Sequence, residues 1–195
     1  MKFYYGTLEF DIPESVYYPR EDSELMAKTL EKVDLRRKSA LEIGCGSGFL
    51  SILMAKKGAA VTAVDINEEA VDTTKKNAAA NEAEVIAAKS DLFSNVSNKF
   101  NLIIFNPPYL PVEEGETDWT YAGGKNGRDV IERFVAKVKN YLKPNGTVLL
   151  LISSLTGEKE VIELFRNQKM KTKIVAREKV PWEELIMIEA CRISL

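Results

Sequence analysis

The chain of 195 residues contains no histidine and only two cysteines, Cys45 and Cys191. The lack of histidine excludes a histidine general base, a Ser-His-Asp triad and any histidine-ligated metal. Two cysteines are too few to hold a structural zinc by themselves, and they give no sign of a disulfide framework. We therefore expect no metal in the site and no catalysis that depends on imidazole.

Long apolar runs and blocks of one charge are also missing. No apolar run reaches the roughly 18 residues of a membrane span, and residues 1–11 lack the basic region and apolar core of a signal peptide. The charges nearly balance, with 27 Lys and Arg against 29 Asp and Glu, which disfavours broad electrostatic binding of nucleic acid. We expect a cytoplasmic protein with no membrane partner.

Apolar runs typical of strands alternate with segments of helical apolar spacing along most of the chain. Strands are expected at Ser39–Ile43, Ala60–Asp65, Glu84–Ala88, Phe100–Phe105, Thr147–Ser153, Lys171–Arg177 and Leu185–Ile193. Helices are expected at Glu21–Val33, Phe49–Lys57, Glu68–Asn81, Arg128–Leu142 and Glu158–Asn167. This alternation predicts a single α/β domain over residues 1–195, with a mainly parallel sheet and helices on both faces. The last two runs are joined by too few residues for a crossover helix and should pair as an antiparallel hairpin.

Three glycines, Gly44, Gly46 and Gly48, follow the first of these strands. Glycines at this place permit a tight turn and a close approach of the backbone to a ligand, with helix-terminal N–H groups available to an anion. A dinucleotide fingerprint would have glycine where Phe49 stands. The pattern by itself therefore leaves open a tight strand-to-helix turn that binds nothing.

Acidic residues stand at the ends of the same strands. Asp65 closes the second strand, where a carboxylate beside the glycine turn accepts ribose hydroxyls; as a helix cap it is a poorer choice than Asn67. Asp91 is either an adenine-binding acid, with Leu92 or Phe93 against the ring, or a solvated loop acid. Glu42 is either a charge at the sheet end or the partner of a ligand amine. Together these positions favour a nucleoside-bearing cofactor.

A rigid, acceptor-rich segment, Asn106-Pro107-Pro108-Tyr109, follows the apolar run Phe100–Phe105. The two prolines remove backbone donors and fix φ, while asparagine supplies an amide oxygen and tyrosine an aromatic face. Such a platform suits a planar –NH2 group, whose hydrogens bond to acceptors and whose π-face packs on a ring. The alternative is a proline-rich turn that only closes a strand.

Taken together, these residues resemble the class I S-adenosylmethionine-dependent methyltransferases over almost the whole chain. That fold is a Rossmann-like, seven-stranded, mostly parallel sheet with a C-terminal antiparallel hairpin. Asn-Pro-Pro-Tyr is similar to the branch that methylates amino groups of adenine or cytosine, or glutamine amides. Two further segments, Tyr18-Pro19-Arg20-Glu21-Asp22-Ser23 and Gly123–Asp129, resemble the HemK-like glutamine methyltransferases of class-1 release factors, as does the acidic pair Glu183-Glu184.

The resemblance implies a set of site residues. Cofactor binding is expected at Tyr18, Pro19, Asp22, Ser23, Glu42, Gly44, Cys45, Gly46, Gly48, Asp65, Ile66, Asp91, Leu92 and Asn106. Catalysis is expected at Asn106, Pro107 and Tyr109, with Pro108 as a further substrate contact. Residues 1–38 would cover the cofactor site, and residues 120–128 are either a mobile loop over the substrate entrance or a connector. The chain is closest to the short archaeal and eukaryotic form, whose relatives work with a small zinc-binding activator subunit. We place that subunit at the uncharged edge strand Glu84–Ala88.

Three other functions compete with glutamine methylation. Adenine methylation of DNA or RNA is disfavoured by the acidic pI of 5.5 and by the missing surface for an extruded base. Lysine methylation would require the amine to lose a proton first. A cofactor-binding scaffold without activity would not need an intact Asn106-Pro107-Pro108-Tyr109.

Overall fold

The computed structural model describes residues 1–108 and 127–193. The strands are β1 (Lys2–Tyr5), β2 (Leu8–Asp11), β3 (Ser39–Ile43), β4 (Ala60–Asp65), β5 (Val85–Lys89), β6 (Phe100–Phe105), β7 (Leu142–Ser153), β8 (Met170–Val180) and β9 (Glu183–Arg192). The helices are α1 (Glu21–Glu31), α2 (Phe49–Lys56), α3 (Glu68–Ala80), α4 (Asp129–Val138) and α5 (Glu158–Asn167). Within the described residues, no helix is long and apolar enough to cross a bilayer.

Seven strands form one sheet in the order β5-β4-β3-β6-β7-β9-β8. The first five are parallel, whereas β9 is antiparallel to both β7 and β8. The predicted mostly parallel sheet with a C-terminal antiparallel hairpin is therefore confirmed. The chain order reverses between β3 and β6, which pair directly, and a parallel sheet opens a ligand crevice at such a reversal.

The sheet separates two apolar layers because side chains alternate along each strand. On β6, Leu102 and Ile104 pack with α1, α2 and α3, whereas Ile103 and Phe105 pack with α4 and α5. Helices therefore cover both faces, as predicted. The carboxyl ends of β3, β4 and β6 border an open space between these layers and the N-terminal segment.

The N-terminus forms a two-stranded antiparallel sheet, β1–β2, that the sequence pattern did not predict. Phe3 and Phe10 from this hairpin pack their rings against Phe49 at the start of α2, with centroids 5.0 and 5.5 Å away. The side chains of Asn77 on α3 and of Asn81, which follows that helix, bond to the backbone of β2, as a neighbouring strand would. Contacts so distant in sequence leave no local pattern.

The predicted end of the fourth helix and the predicted start of the strand that follows it were wrong. The fourth helix ends at Val138 and is followed by a short 3-10 turn, Lys139–Tyr141, and β7 then begins at Leu142, earlier than the predicted Thr147. The strand passes through Pro144 and Gly146 with a shift in register against β6. Gly146 is required there because a Cβ would lie 2.8 Å from the carbonyl oxygen of Phe100.

The C-terminal hairpin has a shorter turn than expected. The sequence predicted a connector at Glu178–Glu184, but β8 continues to Val180 and β9 begins at Glu183. Pro181 and Trp182 alone form the turn. The tip of this hairpin therefore reaches further beyond the sheet than the prediction implied.

Candidate active site

A cavity of about 710 Å³ opens at the carboxyl ends of β3, β4 and β6, where the strand order reverses. Its walls come from residues 14–23 before and within α1, the glycine turn after β3, the end of β4, residues 105–108 and the tip of the β8–β9 hairpin. The volume is typical of a small-molecule site. The sheet topology thus brings together most of the residues that the sequence singled out.

The glycine turn folds back onto the end of β4. Gly44 and Gly46 have φ of 68° and 51°, a left-handed conformation that glycine adopts without strain. The N–H groups of Gly44 and Cys45 donate to the carbonyl of Val64 at 2.8 and 3.1 Å. Gly48, in contrast, lies outside the cavity lining. It begins α2 with φ of 81°, and a Cβ there would lie 3.0 Å from Thr74.

Asp65 lies beside the glycine turn, as its spacing predicted. Its Oδ2 accepts from the N–H of Gly46 and its Oδ1 from the N–H of Asn67, both at 2.9 Å. Asn67 is the cap of α3, since its side chain accepts from the N–H of Glu69. Burial raises the pKa of Asp65, while the hydrogen bonds from the backbone oppose that shift. The carboxylate is therefore held in place at the cavity wall together with Ile66.

Glu42 is a buried acid at the bottom of the cavity. The hydroxyl of Ser51 on α2 donates to its Oε2, and 4 % of Glu42 is exposed. Burial raises the pKa of Glu42 to about 8. A cationic group in the cavity would favour the ionised carboxylate by offsetting the cost of burial. Glu42 thus suits a ligand amine better than it suits the role of a solvated sheet-end charge.

Asp91 already has a partner inside the protein. Its carboxylate pairs with Arg133 of α4 at 2.5 Å, and both residues line the cavity. Leu92 beside it is buried and has φ of 49°. The loop that was predicted to bind adenine therefore presents an ion pair and an apolar side chain to the cavity rather than a free acid.

Asn106 is oriented by an acid from the N-terminal segment. Its Nδ2 donates to Oδ2 of Asp22 at 3.0 Å, and its Oδ1 is buried without a hydrogen-bond partner among the described residues. Asp22 also accepts from the hydroxyl of Tyr17 at 2.8 Å and from the N–H of Ser23 at 2.5 Å. Because a carboxylate only accepts, Asp22 fixes which end of the Asn106 amide is left free.

The remaining predicted residues divide into two groups. Tyr18, Pro19, Ser23, Pro107 and Pro108 line the cavity, and the hydroxyl of Tyr18 also donates to the carbonyl of Lys2. Tyr109 and residues 120–126 lie outside the described part of the chain. Two residues that the sequence analysis missed take part in the site, namely Ser51 and Arg133. The partner of each comes from another element, so no local motif could have revealed them.

The comparisons with known proteins agree with this geometry. Residues 20–179 match the family described as the methyltransferase small domain. A protein of Methanocaldococcus jannaschii named as an N5-glutamine methyltransferase is 46% identical over 192 residues, covering 95% of this chain and 96% of that protein. A release factor glutamine methyltransferase of Streptococcus pneumoniae is 31% identical over 176 residues, covering 84% of this chain. The chain spans 62% of the length of that bacterial relative.

A solved structure has the same fold. The Mtq2–Trm112 complex of E. cuniculi, described as responsible for methylating the translation termination factor eRF1, contains a chain that matches with a TM-score of 0.77 at 24% identity. The match covers 92% of this chain and 99% of that one. With the family match, the archaeal relative and a nucleoside-sized cavity at the strand reversal, the chain belongs to the methyltransferase small domain family and is an S-adenosylmethionine-dependent methyltransferase.

Proposed function

We propose that this enzyme methylates the side-chain amide of the glutamine in the Gly-Gly-Gln motif of a class-1 translation release factor. The observation that carries the proposal is the Asn106 amide, whose Nδ2 is bound by Asp22 and whose Oδ1 is left without a described partner. A free acceptor beside two prolines suits a substrate –NH2 group. The archaeal relative is named as an N5-glutamine methyltransferase. The bacterial relative is named as a release factor glutamine methyltransferase and the E. cuniculi complex is described as methylating eRF1, which supports the same substrate.

The cavity residues fit S-adenosylmethionine. Asp65, tied to two backbone N–H groups, retains acceptor capacity for the ribose hydroxyls. Glu42 offers a carboxyl group to the amino group of the methionine portion, and Leu92 offers an apolar surface to the adenine ring. The left-handed turns at Gly44 and Gly46 bring the backbone close to the ligand. We assign cofactor binding to these residues and to the lining residues Tyr18, Pro19, Ser23, Cys45 and Ile66.

Methyl transfer is a direct displacement. The lone pair of the amide nitrogen forms the new N–C bond while the C–S electrons return to the sulfonium sulfur, and the nitrogen then loses a proton to water. We assign to Asn106 Oδ1 and the Pro107 carbonyl the acceptance of the two amide N–H bonds, which orients the nitrogen and stabilises its developing positive charge. Because the proton leaves after attack, a chain without histidine needs no general base. The packing of the Tyr109 ring against the substrate amide stays a prediction.

A small activator subunit is part of the proposal. β5 is an outer strand of the sheet, and Ile86 on it is 72% exposed. An exposed strand edge with an apolar side chain accepts another chain by strand addition. The E. cuniculi structure is a complex of two proteins, which supports a partner for this chain as well. That the partner binds zinc rests on the resemblance to the short archaeal and eukaryotic enzymes.

The proposal is tested by methyl transfer from labelled S-adenosylmethionine to a purified archaeal-type release factor, with and without a small zinc-binding partner. A release factor whose Gly-Gly-Gln glutamine is replaced serves as the matched control, and bare DNA is assayed in parallel. We expect label on the intact factor and none on the control. Equal label on both factors, localised to lysine by mass spectrometry, or label on DNA alone, would contradict glutamine methylation.

A further inference from the structure

The tip of the β8–β9 hairpin forms part of the rim of the catalytic cavity. Val180, Pro181 and Glu183 line the cavity, whereas Trp182 between them projects away from it and is 97% exposed. The two strands below the tip are held firmly. Arg177 bridges Glu158 and Glu184 at 2.7 and 2.8 Å, and the N–H of Glu184 donates to the hydroxyl of Ser154 at 3.0 Å. The tip therefore presents Trp182 from a fixed support.

Folding alone does not favour tryptophan at this position. Trp182 has φ of 75°, a left-handed conformation that is an outlier for a bulky residue and natural for glycine. A side chain that is 97% exposed also gains almost nothing from burial. A strained backbone and a fully exposed aromatic ring at the rim of an active site together indicate a contact made with another molecule.

Glu183 provides a second, independent observation. The residue is half-buried in the cavity wall, and its Oε2 is buried without a hydrogen-bond partner among the described residues. Its neighbour Glu184, in contrast, is paired with Arg177. An unpartnered buried carboxylate oxygen is costly, so it indicates a donor that arrives with a ligand.

We propose that Trp182 and Glu183 form a docking element for the protein substrate. Trp182 packs on the surface of the release factor beside its Gly-Gly-Gln loop, and Glu183 Oε2 accepts a backbone N–H next to the acceptor glutamine. This inference rests on the proposed function. It assigns to the hairpin tip the recognition of the polypeptide, as distinct from the chemistry at Asn106 and the binding of cofactor at Asp65.

The position of the hairpin tip indicates which molecule docks against it. A glutamine side chain is short, so the polypeptide that delivers its amide to Asn106 must lie at the mouth of the cavity. Asn106 and Glu183 both line that cavity. The residues before the glutamine are glycines, and their bare peptide groups offer N–H donors to Glu183. A folded protein that carries the loop extends outward from the mouth, where Trp182 is exposed. Exposed aromatic side chains at such rims are frequent anchors of protein interfaces.

The test measures how two variants of the holoenzyme use the intact release factor. In Trp182→Gly we expect the KM for the factor to rise about tenfold, with kcat at saturation and the Kd of S-adenosylmethionine within about twofold of wild type. Glycine suits the left-handed φ, so the melting temperature should not fall. Trp182→Tyr keeps an aromatic ring and should recover most of the loss in KM.

The second variant separates the two contacts. Glu183→Gln should raise the KM for the intact factor and for a short Gly-Gly-Gln peptide, whereas Trp182→Gly should raise it for the intact factor alone. Tyr4→Ala removes another exposed aromatic residue, 63% exposed and outside the cavity lining, and should leave both KM values unchanged. It serves as the matched control.

The outcomes distinguish this inference from the function on which it rests. A wild-type enzyme that leaves the release factor unmethylated overturns the proposed function and, with it, the docking element. Methylation by wild type together with an unchanged KM for both Trp182→Gly and Glu183→Gln overturns the docking element alone. A cofactor Kd that weakens as much as the substrate KM would make the tip part of the cofactor site, which also contradicts the inference.

Discussion

At the scale of single residues, the proposed chemistry depends on which end of the Asn106 amide points at the substrate. Asp22 is separated from Asn106 by 84 residues and binds its Nδ2. Because a carboxylate oxygen accepts hydrogen bonds, it stabilises the orientation of the amide in which Nδ2 faces Asp22. The oxygen is thereby available to accept. Under the proposed mechanism, the N-terminal segment contributes to catalysis by positioning this amide, in addition to lining the cavity.

Replacing Asn106 with alanine should abolish methyl transfer and spare the cofactor. We expect kcat to fall by about 100-fold or more, because one preorganised acceptor for the developing charge is lost. The Kd of S-adenosylmethionine, measured by calorimetry, should stay within about twofold. Asn101→Ala is the control, since Asn101 lies near the start of the same strand and bonds to Ser39. Equal loss of cofactor affinity in Asn106→Ala would instead assign Asn106 a structural role.

Replacing Asp65 with alanine should weaken cofactor binding. We expect cofactor affinity to fall about tenfold or more, since two charge-assisted hydrogen bonds to the ribose are removed. Asp65 also holds the amides of Gly46 and Asn67, so the melting temperature of the cofactor-free enzyme must be compared in parallel. Asp65→Asn keeps an acceptor for one amide and separates the two effects. Unchanged affinity in both variants would remove the ribose assignment.

At the scale of elements, α3 connects the N-terminal hairpin to the glycine turn after β3. The Nδ2 of Asn77 on α3 donates to the carbonyls of Asp11 and Ser47, and its Oδ1 accepts from the N–H of Asp11. A single buried side chain therefore joins β2, α3 and the glycine turn. The hairpin is integrated with the wall of the site, although its strands lie outside the main sheet.

The β5 edge is where the activator should bind. We expect the partner to slow amide hydrogen exchange at residues 85–89 and Ile86→Lys to weaken the complex at least about tenfold, since a charge would replace a buried apolar contact. Lys173→Ala, on the opposite edge strand β8, should bind normally and is the control. Unaltered exchange at residues 85–89 in the presence of the partner would show that the subunit binds elsewhere.

At the scale of the whole molecule, the buried acid Glu42 should make stability depend on pH. Its pKa is about 8 in the folded protein and close to 4.5 when the chain is unfolded. The folded state therefore holds a proton that the unfolded state has lost between these values, and stability should fall as pH rises from about 4.5 to about 8. Asp65 is the nearby charge that reinforces this shift, and the Ser51 hydroxyl opposes it.

Glu42→Gln should remove this dependence. We expect thermal melts of the variant to show a smaller decrease in melting temperature between pH 5 and pH 8 than wild type. Added S-adenosylmethionine should also reduce the decrease in wild type, if its amino group stabilises the ionised carboxylate as proposed. Glu31→Gln, a change to an exposed glutamate on α1, is the control. Identical pH profiles for wild type and Glu42→Gln would exclude a protonated Glu42 in the folded protein.

The sequence alone determined the order of the elements from α1 onward and the location of the candidate site at the carboxyl ends of β3, β4 and β6. Apolar alternation and the glycine turn are local features, so β3, β4, β6 and the first three helices were predicted to within a few residues. Asp65 beside Gly46 also followed from spacing, because one βαβ unit returns the chain to the neighbouring strand.

The tertiary structure decided what those residues contact. The partners Asp22 for Asn106, Ser51 for Glu42 and Arg133 for Asp91 come from other elements. The N-terminal hairpin and the length of the β8–β9 hairpin beyond the sheet also depend on packing rather than on local strand propensity. Local sequence determines backbone conformation and the succession of strands and helices along the chain, whereas the pairing of polar groups depends on which surfaces are brought together and emptied of water. That is why the rigid segment after β6 was predictable and the orientation of the Asn106 amide was not.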